Sequence, residues 1–145
     1  MITWILVSNL PILPNLSILY HKKTPTVNSS EHLLFKMPVT AIESFQQFQE
    51  LINGDKPVLI DFWATWCGPC RAISPVFEEM SNDEGLDNIG FYKVDVDAQE
   101  QVAQEVGIRA MPTFAIFRNG VKVGELVGAN RQGLAELVTK AAALL

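Results

Sequence analysis

Val58-Leu59-Ile60-Asp61-Phe62-Trp63-Ala64-Thr65-Trp66-Cys67-Gly68-Pro69-Cys70 is the stretch from which the rest of the chain can be read. Val58 to Trp63 form a near-continuous apolar run, the pattern of a strand covered on both faces. Pro69 suits the first turn of a helix, where a missing N–H costs nothing. The spacing therefore predicts a helix from about Pro69 to Met80, with Cys67 at its start and Cys70 one turn inside. The residues between strand and helix then lie at the strand's carboxyl end, where open α/β sheets hold their functional groups. Pro75 falls inside the same helix, removes a hydrogen bond to the carbonyl of Arg71, and is expected to kink it.

Downstream, Ile89-Gly90-Phe91-Tyr92-Lys93-Val94 reads as a second strand and Thr113-Phe114-Ala115-Ile116-Phe117 as a third. Asp97 with Glu100 predicts a helix start between them, with Val102 and Val106 on its apolar side. Arg118-Asn119-Gly120 is a turn signal, after which Val121 to Val127 pairs back as a hairpin. Asn130 is the predicted cap of a last helix with Leu134, Leu137, Val138 and Ala141 on one face. Upstream, Thr40 and Glu43 have capping-box spacing, and Ile42, Phe45, Phe48, Leu51 and Ile52 make an apolar stripe that Gly54 ends. Strands alternating with helices and closing in a hairpin predict an α/β sandwich around a mixed sheet. There is no internal repeat, phosphate loop or dinucleotide fingerprint.

The 145 residues suffice for one domain with a single core, and the 48% apolar content lets it be buried. A net charge of −5 disfavours a phosphate-binding surface, so nucleic acid is not an expected partner. Charge also divides the chain: residues 1–36 carry +2 and residues 37–145 carry −7. The first 20 residues have no charged side chain. As a secretory signal this stretch lacks a preceding basic residue and a clear cleavage pair, and Pro11 and Pro14 interrupt its helix. It lacks arginine for a mitochondrial presequence, and as a membrane span it would place Asn9 and Asn15 at hydrocarbon depth. The expectation is a disordered leader, or a stretch upstream of the true start at Met37, ahead of a domain at 37–145. The cytoplasm is the expected location, with mitochondrial or secretory targeting as the alternative if residues 1–36 act as a leader.

With two cysteines, no disulfide framework staples the fold, and the pair must be judged as a site. Residues three apart share a helix face, about 5 to 6 Å between Cβ atoms, so a reversible disulfide is within reach. Cys67 lies where free N–H groups and the helix dipole stabilise a thiolate, whereas Cys70 faces the interior and holds its proton more tightly. Cys67 is then the attacking nucleophile and Cys70 the thiol that resolves the mixed disulfide. A metal site is disfavoured, because the only histidines, His21 and His32, lie in the leader at no ligand spacing. Asp61 is the second singular residue. If its strand is central the carboxyl is buried, its pKa raised, and it can shuttle a proton for Cys70 through a water; if it sits at a strand end it faces solvent. Lys93 is either its charge partner or a surface lysine. Pro112 enters a strand, where pattern alone favours the trans isomer over cis.

Trp66-Cys67-Gly68-Pro69-Cys70 resembles the active site of the thioredoxin family. The likeness continues through Asp61-Phe62-Trp63-Ala64, Pro75, Lys93, Arg109-Ala110-Met111-Pro112-Thr113, Gly120 and Val127-Gly128-Ala129, and so spans residues 37–145. The resemblance implies the thioredoxin fold: five strands in a mixed sheet flanked by four helices, with Pro112 cis and facing the cysteines. It implies a general protein-disulfide reductase with Cys67, Cys70 and Asp61 catalytic and Lys93 and Pro75 supporting. Trp66, Gly68, Pro69, Met111, Pro112, Gly128 and Ala129 would form the surface on which a substrate strand pairs. No bound cofactor or metal is implied. The implied partners are disulfide-containing clients and thioredoxin reductase, with NADPH as electron source, and the rim around Trp66 could support a weak homodimer. The leader lies outside the family pattern, Arg71 stands where the family also has Lys, and no third thiol is present. The wording around Ala72-Ile73-Ser74-Pro75 is closest to eukaryotic, fungal-like members. Two other functions compete: a secretory disulfide oxidase or isomerase, which the leader would suit, and a binding module without redox turnover.

Overall fold

The structure, a computed structural model, describes residues 39–145; the expectations for residues 1–36 and for a start at Met37 lie outside them. Nine elements follow in order: β1 (Thr40–Ala41), α1 (Phe45–Ile52), β2 (Val58–Trp63), α2 (Gly68–Met80), β3 (Gly90–Asp95), α3 (Glu100–Val106), β4 (Thr113–Arg118), β5 (Val121–Val127) and α4 (Arg131–Ala142). The strands form one sheet in the order β1-β3-β2-β4-β5. β1, β3 and β2 run parallel, while β4 pairs antiparallel with β2 and with β5. This is the five-stranded mixed sheet with four helices expected of the thioredoxin fold.

β2 is the central strand, and its alternation divides the core. Val58, Ile60 and Phe62 face one side with Phe48, Val102, Ala115 and Phe117, under α1 and α3. Leu59 faces the other with Ile73, Phe77, Phe114, Ile116, Leu134 and Leu137, under α2 and α4. Since successive strand residues alternate faces, Asp61 joins Leu59 on the α2 and α4 side. A continuous apolar run with one acid therefore buries that acid.

Two predicted helix starts are corrected. Thr40 is not a cap: Thr40 and Ala41 pair with Tyr92 and Lys93 as an edge strand, and the Ile42 N–H donates to the Lys93 carbonyl at 2.9 Å. The cap of α1 is Ser44, whose Oγ accepts from the Gln47 N–H at 3.1 Å, while Gln47 Oε1 accepts from the Glu43 N–H at 2.8 Å. Ile42 is buried as an extension of β1 rather than as part of the helical stripe. Asp97 is likewise not the start of α3, which is preceded by Gln99. A two-residue strand is too short to show a period, and the capping-box spacing recurs by chance in polar loops. Asn130 does cap α4, with its side chain accepting from the Gly133 N–H.

The β4–β5 hairpin turns through Asn119 (φ 52°) and Gly120 (φ 76°), the paired positive values of a type I′ turn. Its N–H groups donate to the Gly54 and Ile52 carbonyls at 2.9 and 2.8 Å, docking the hairpin on the end of α1. A Cβ on Gly120 would lie 2.7 Å from Asn53 Oδ1. Gly120→Ala is expected to lower the unfolding free energy by about 1–2 kcal/mol, from left-handed backbone strain plus displacement of Asn53. Equilibrium denaturation measures this, and an unchanged midpoint would contradict the docked turn.

Candidate active site

The site forms where β2 ends and α2 begins. Cys67 is the N-cap residue of α2, in extended backbone (φ −78°, ψ 103°), with its Sγ accepting from the Cys70 N–H at 3.2 Å. Glycine and proline follow it directly, so the first turn is entered with few N–H groups already committed. The two cysteines are joined as a disulfide, S–S 2.06 Å, with Cα atoms 5.3 Å apart. Both are buried in this oxidised form, beside Ala64, Trp63, Val96 and Met111. Gly68 and Pro69 between them are exposed, and Trp66 is 65% exposed. An exposed rim of Trp66, Gly68 and Pro69 thus lies on the solvent side of the buried disulfide.

Asp61 sits two residues before the end of β2, between Lys93 on β3 and Phe114 on β4. It is 2% exposed, which settles the alternative of a solvent-facing strand-end acid. Its Oδ1 is buried without a hydrogen-bond partner, and so is the indole Nε1 of Trp63, two residues on along the same face. Both residues line a cavity of about 250 Å³ with Lys93, Arg71, Ser74 and Pro75. Removal from water pushes the Asp61 carboxyl up to about 7, with the positive charge of Lys93 partly opposing it. Lys93 acts on Asp61 through space; among the described residues its ammonium is in no ion pair. A carboxyl at that value gives or takes a proton near neutral pH, and the cavity has room for the water that would carry it.

The Met111–Pro112 peptide bond is cis. The Pro112 carbonyl accepts from the Gly128 N–H at 2.8 Å, and the Thr113 hydroxyl donates to the Ala110 carbonyl at 2.8 Å. The first bond holds the loop before β4 against the loop after β5, and the second braces the loop before β4 internally. Gly128 has φ +98°, a conformation that L side chains resist, and Ala129 beside it is exposed. Met111 packs against the buried group of Ala64, Cys67 and Cys70. Pro75, in contrast, lines the Asp61 cavity and lies apart from the rim. α2 runs unbroken from Gly68 to Met80 around it, and the Ser74 hydroxyl donates to the Cys70 carbonyl one turn back.

Three contacts at the site carried no sequence signal. The Trp66 Nε1–H donates to Asp97 Oδ2 at 2.9 Å, the Arg71 guanidinium donates to the Thr65 carbonyl at 3.0 Å, and Ser74 lines the Asp61 cavity. Asp97 lies 31 residues from Trp66, and no periodicity links positions so far apart.

A cysteine at a helix N-cap bonded to a second one turn inside, packed with the residue before a cis-proline and following a strand that buries an acid, defines a dithiol–disulfide exchange protein. The family model for thioredoxin matches residues 39–140, and the chain belongs to the thioredoxin family. It is 57% identical to a thioredoxin of Malassezia sympodialis over 102 residues, 70% of this chain and 97% of the relative. It is 51% identical to a thioredoxin of Coprinus comatus over 105 residues, 72% of this chain and 99% of the relative. Among solved structures, Malassezia sympodialis thioredoxin superposes with TM-score 0.70 at 54% identity, covering 73% of this chain and 95% of that one. The protein is accordingly a protein-disulfide oxidoreductase working through the Cys67–Cys70 pair.

Proposed function

We propose that reduction of client disulfides begins at Cys67 and is completed by Cys70 and Asp61. The observation that carries this reading is the N-cap position of Cys67 over a buried Cys70 and an unpartnered buried acid. In the reduced protein the helix terminus favours the Cys67 thiolate. That thiolate attacks one sulfur of a client disulfide, forming a mixed disulfide and releasing the other client sulfur, which takes up a proton. Asp61, ionised at that moment, accepts the Cys70 proton through water in the cavity. The Cys70 thiolate then attacks Cys67 Sγ, the mixed disulfide breaks, and the second client sulfur leaves as a thiol. Two electrons have moved to the client, and the protein holds the Cys67–Cys70 disulfide.

The client strand is read as docking on Trp66, Gly68, Pro69, Met111, Pro112, Gly128 and Ala129. The exposed indole and the half-buried Met111 beside the cysteines support this surface. Thioredoxin reductase, drawing on NADPH, is the proposed source of electrons for the next cycle. A peroxiredoxin is one proposed kind of client: one structural neighbour, 31% identical with TM-score 0.65 and covering 70% of this chain and 94% of that one, comes from work on thiol resolution in yeast mitochondrial 1-Cys peroxiredoxin via glutathione/thioredoxin systems.

The deciding measurement is the equilibrium potential of the cysteine pair against a thiol buffer. It is expected at about −270 mV, the value characteristic of thioredoxins. NADPH consumption with thioredoxin reductase and insulin should then be catalytic. A potential near about −180 mV or above would mark an oxidase or isomerase instead.

A further inference from the structure

Thr65 and Trp66 form the exposed approach to Cys67, and Trp66 presents the largest exposed apolar side chain of the described residues. An indole so exposed would sample several rotamers unless something held it. One bond does: its Nε1–H donates to Asp97 Oδ2 at 2.9 Å. Asp97 is itself held. The Asp95 carboxylate accepts from the N–H groups of Asp97 and Ala98 at 3.0 and 3.4 Å, and the Val96 N–H donates to the Trp63 carbonyl at 3.0 Å. The loop after β3 is thus bracketed to the end of β2, and Arg71 fixes the neighbouring Thr65 carbonyl from the other side.

We infer that Asp97 is a positioning residue that holds the Trp66 indole in the orientation a protein disulfide meets, and so sets the affinity for protein substrates. It takes no part in the sulfur chemistry. The inference rests on the reading of Trp66 as part of the docking surface. Its physical basis is pre-organisation: an indole ordered before the client arrives need not be ordered by the client. A small disulfide that reaches Cys67 without spanning the rim gains nothing from it.

The test uses the full chain. Insulin turnover is driven by dithiothreitol, and the small aromatic disulfide 5,5′-dithiobis(2-nitrobenzoate) is mixed with protein reduced beforehand and freed of dithiothreitol, which would otherwise reduce it directly. Asp97→Ala is expected to raise KM for insulin about fivefold, the worth of one ordered side chain, with kcat for insulin and the rate with the small disulfide within about twofold. The Trp66 indole N–H resonance, assigned by its loss in Trp66→Ala, should shift and exchange faster with solvent. Asp97→Asn keeps an acceptor oxygen without the charge and should restore KM. Equal losses with both substrates, or no rescue by Asn, would overturn the inference, because either would mean that the charge or general stability matters instead. If Trp66→Ala raises KM and Asp97→Ala does not, the positioning role fails and the docking surface stands. If Trp66→Ala leaves KM unchanged, both fall.

Discussion

Cys67→Ser is expected to abolish turnover of protein disulfides, a loss on the order of 10³-fold or more, because no other thiol lies at the helix terminus to make the first attack. Cys70→Ser should behave differently. It keeps the attacking sulfur and lacks the resolving one, so it should accumulate the mixed disulfide with its client as a stable covalent species. Mass spectrometry after mixing with oxidised insulin separates the two. The asymmetry follows from position: Cys67 caps α2 and borders the exposed Gly68-Pro69 turn, whereas Cys70 is 1% exposed beneath it. Adducts at Cys70 in the wild type, or multiple turnover by Cys67→Ser, would reverse the assignment of roles. Client binding retained in Cys67→Ser, with turnover absent even from wild type, would leave a binding module.

Asp61→Asn should make the folded protein more stable and the enzyme slower. The wild-type carboxyl has its pKa raised from 3.8 to about 7 in the folded state, chiefly by burial, with Lys93 opposing. The folded state therefore binds this proton more tightly than the unfolded chain. Below about pH 3 the carboxyl is neutral in both states and imposes no penalty. As the pH rises from about 4 to about 7 the unfolded chain ionises freely while the folded one resists, so stability falls across that window and levels off above it. The shift corresponds to a difference on the order of 4 kcal/mol. Asn is neutral at every pH, so its advantage should be near that value at pH 8 and shrink to less than about 1 kcal/mol at pH 4. Urea unfolding midpoints at the two pH values measure it; an advantage independent of pH would mean that packing, not charge, is responsible.

On the proposed mechanism the same substitution removes the proton acceptor for Cys70. Resolution of the mixed disulfide should slow about 10- to 100-fold near neutral pH, with the first attack by Cys67 little changed. Stopped-flow measurement of the two phases distinguishes them, and equal slowing of both would argue against the proton shuttle. A residue whose removal stabilises the fold and slows the chemistry is held in place by function rather than by folding.

Local chemistry explains which features could be read in advance. The apolar run of β2, the Pro69 helix start, the Asn119-Gly120 turn, the Asn130 cap and the stripe from Leu134 to Ala141 each depend on residues within a turn or two of one another. Each is found where the periodicities and the turn signal place it. The cysteine pair belongs with them, since its spacing and its place at a helix start are both local. The misread features were those with a local decoy: Thr40 with Glu43 imitated a capping box, and Asp97 with Glu100 imitated another.

The succession of α1 and of every strand and helix from β2 onward, with a thiol pair at a strand–helix junction, follows from side-chain period and backbone preference over a few residues. Packing between distant segments makes β1 a strand, encloses Asp61, and sets Met111, beside the cis bond at Pro112, against the group of Ala64, Cys67 and Cys70. It also decided that Asp97 holds Trp66. These depend on which strand lies beside which, and on water being excluded between layers that close only when segments far apart in the chain pack together.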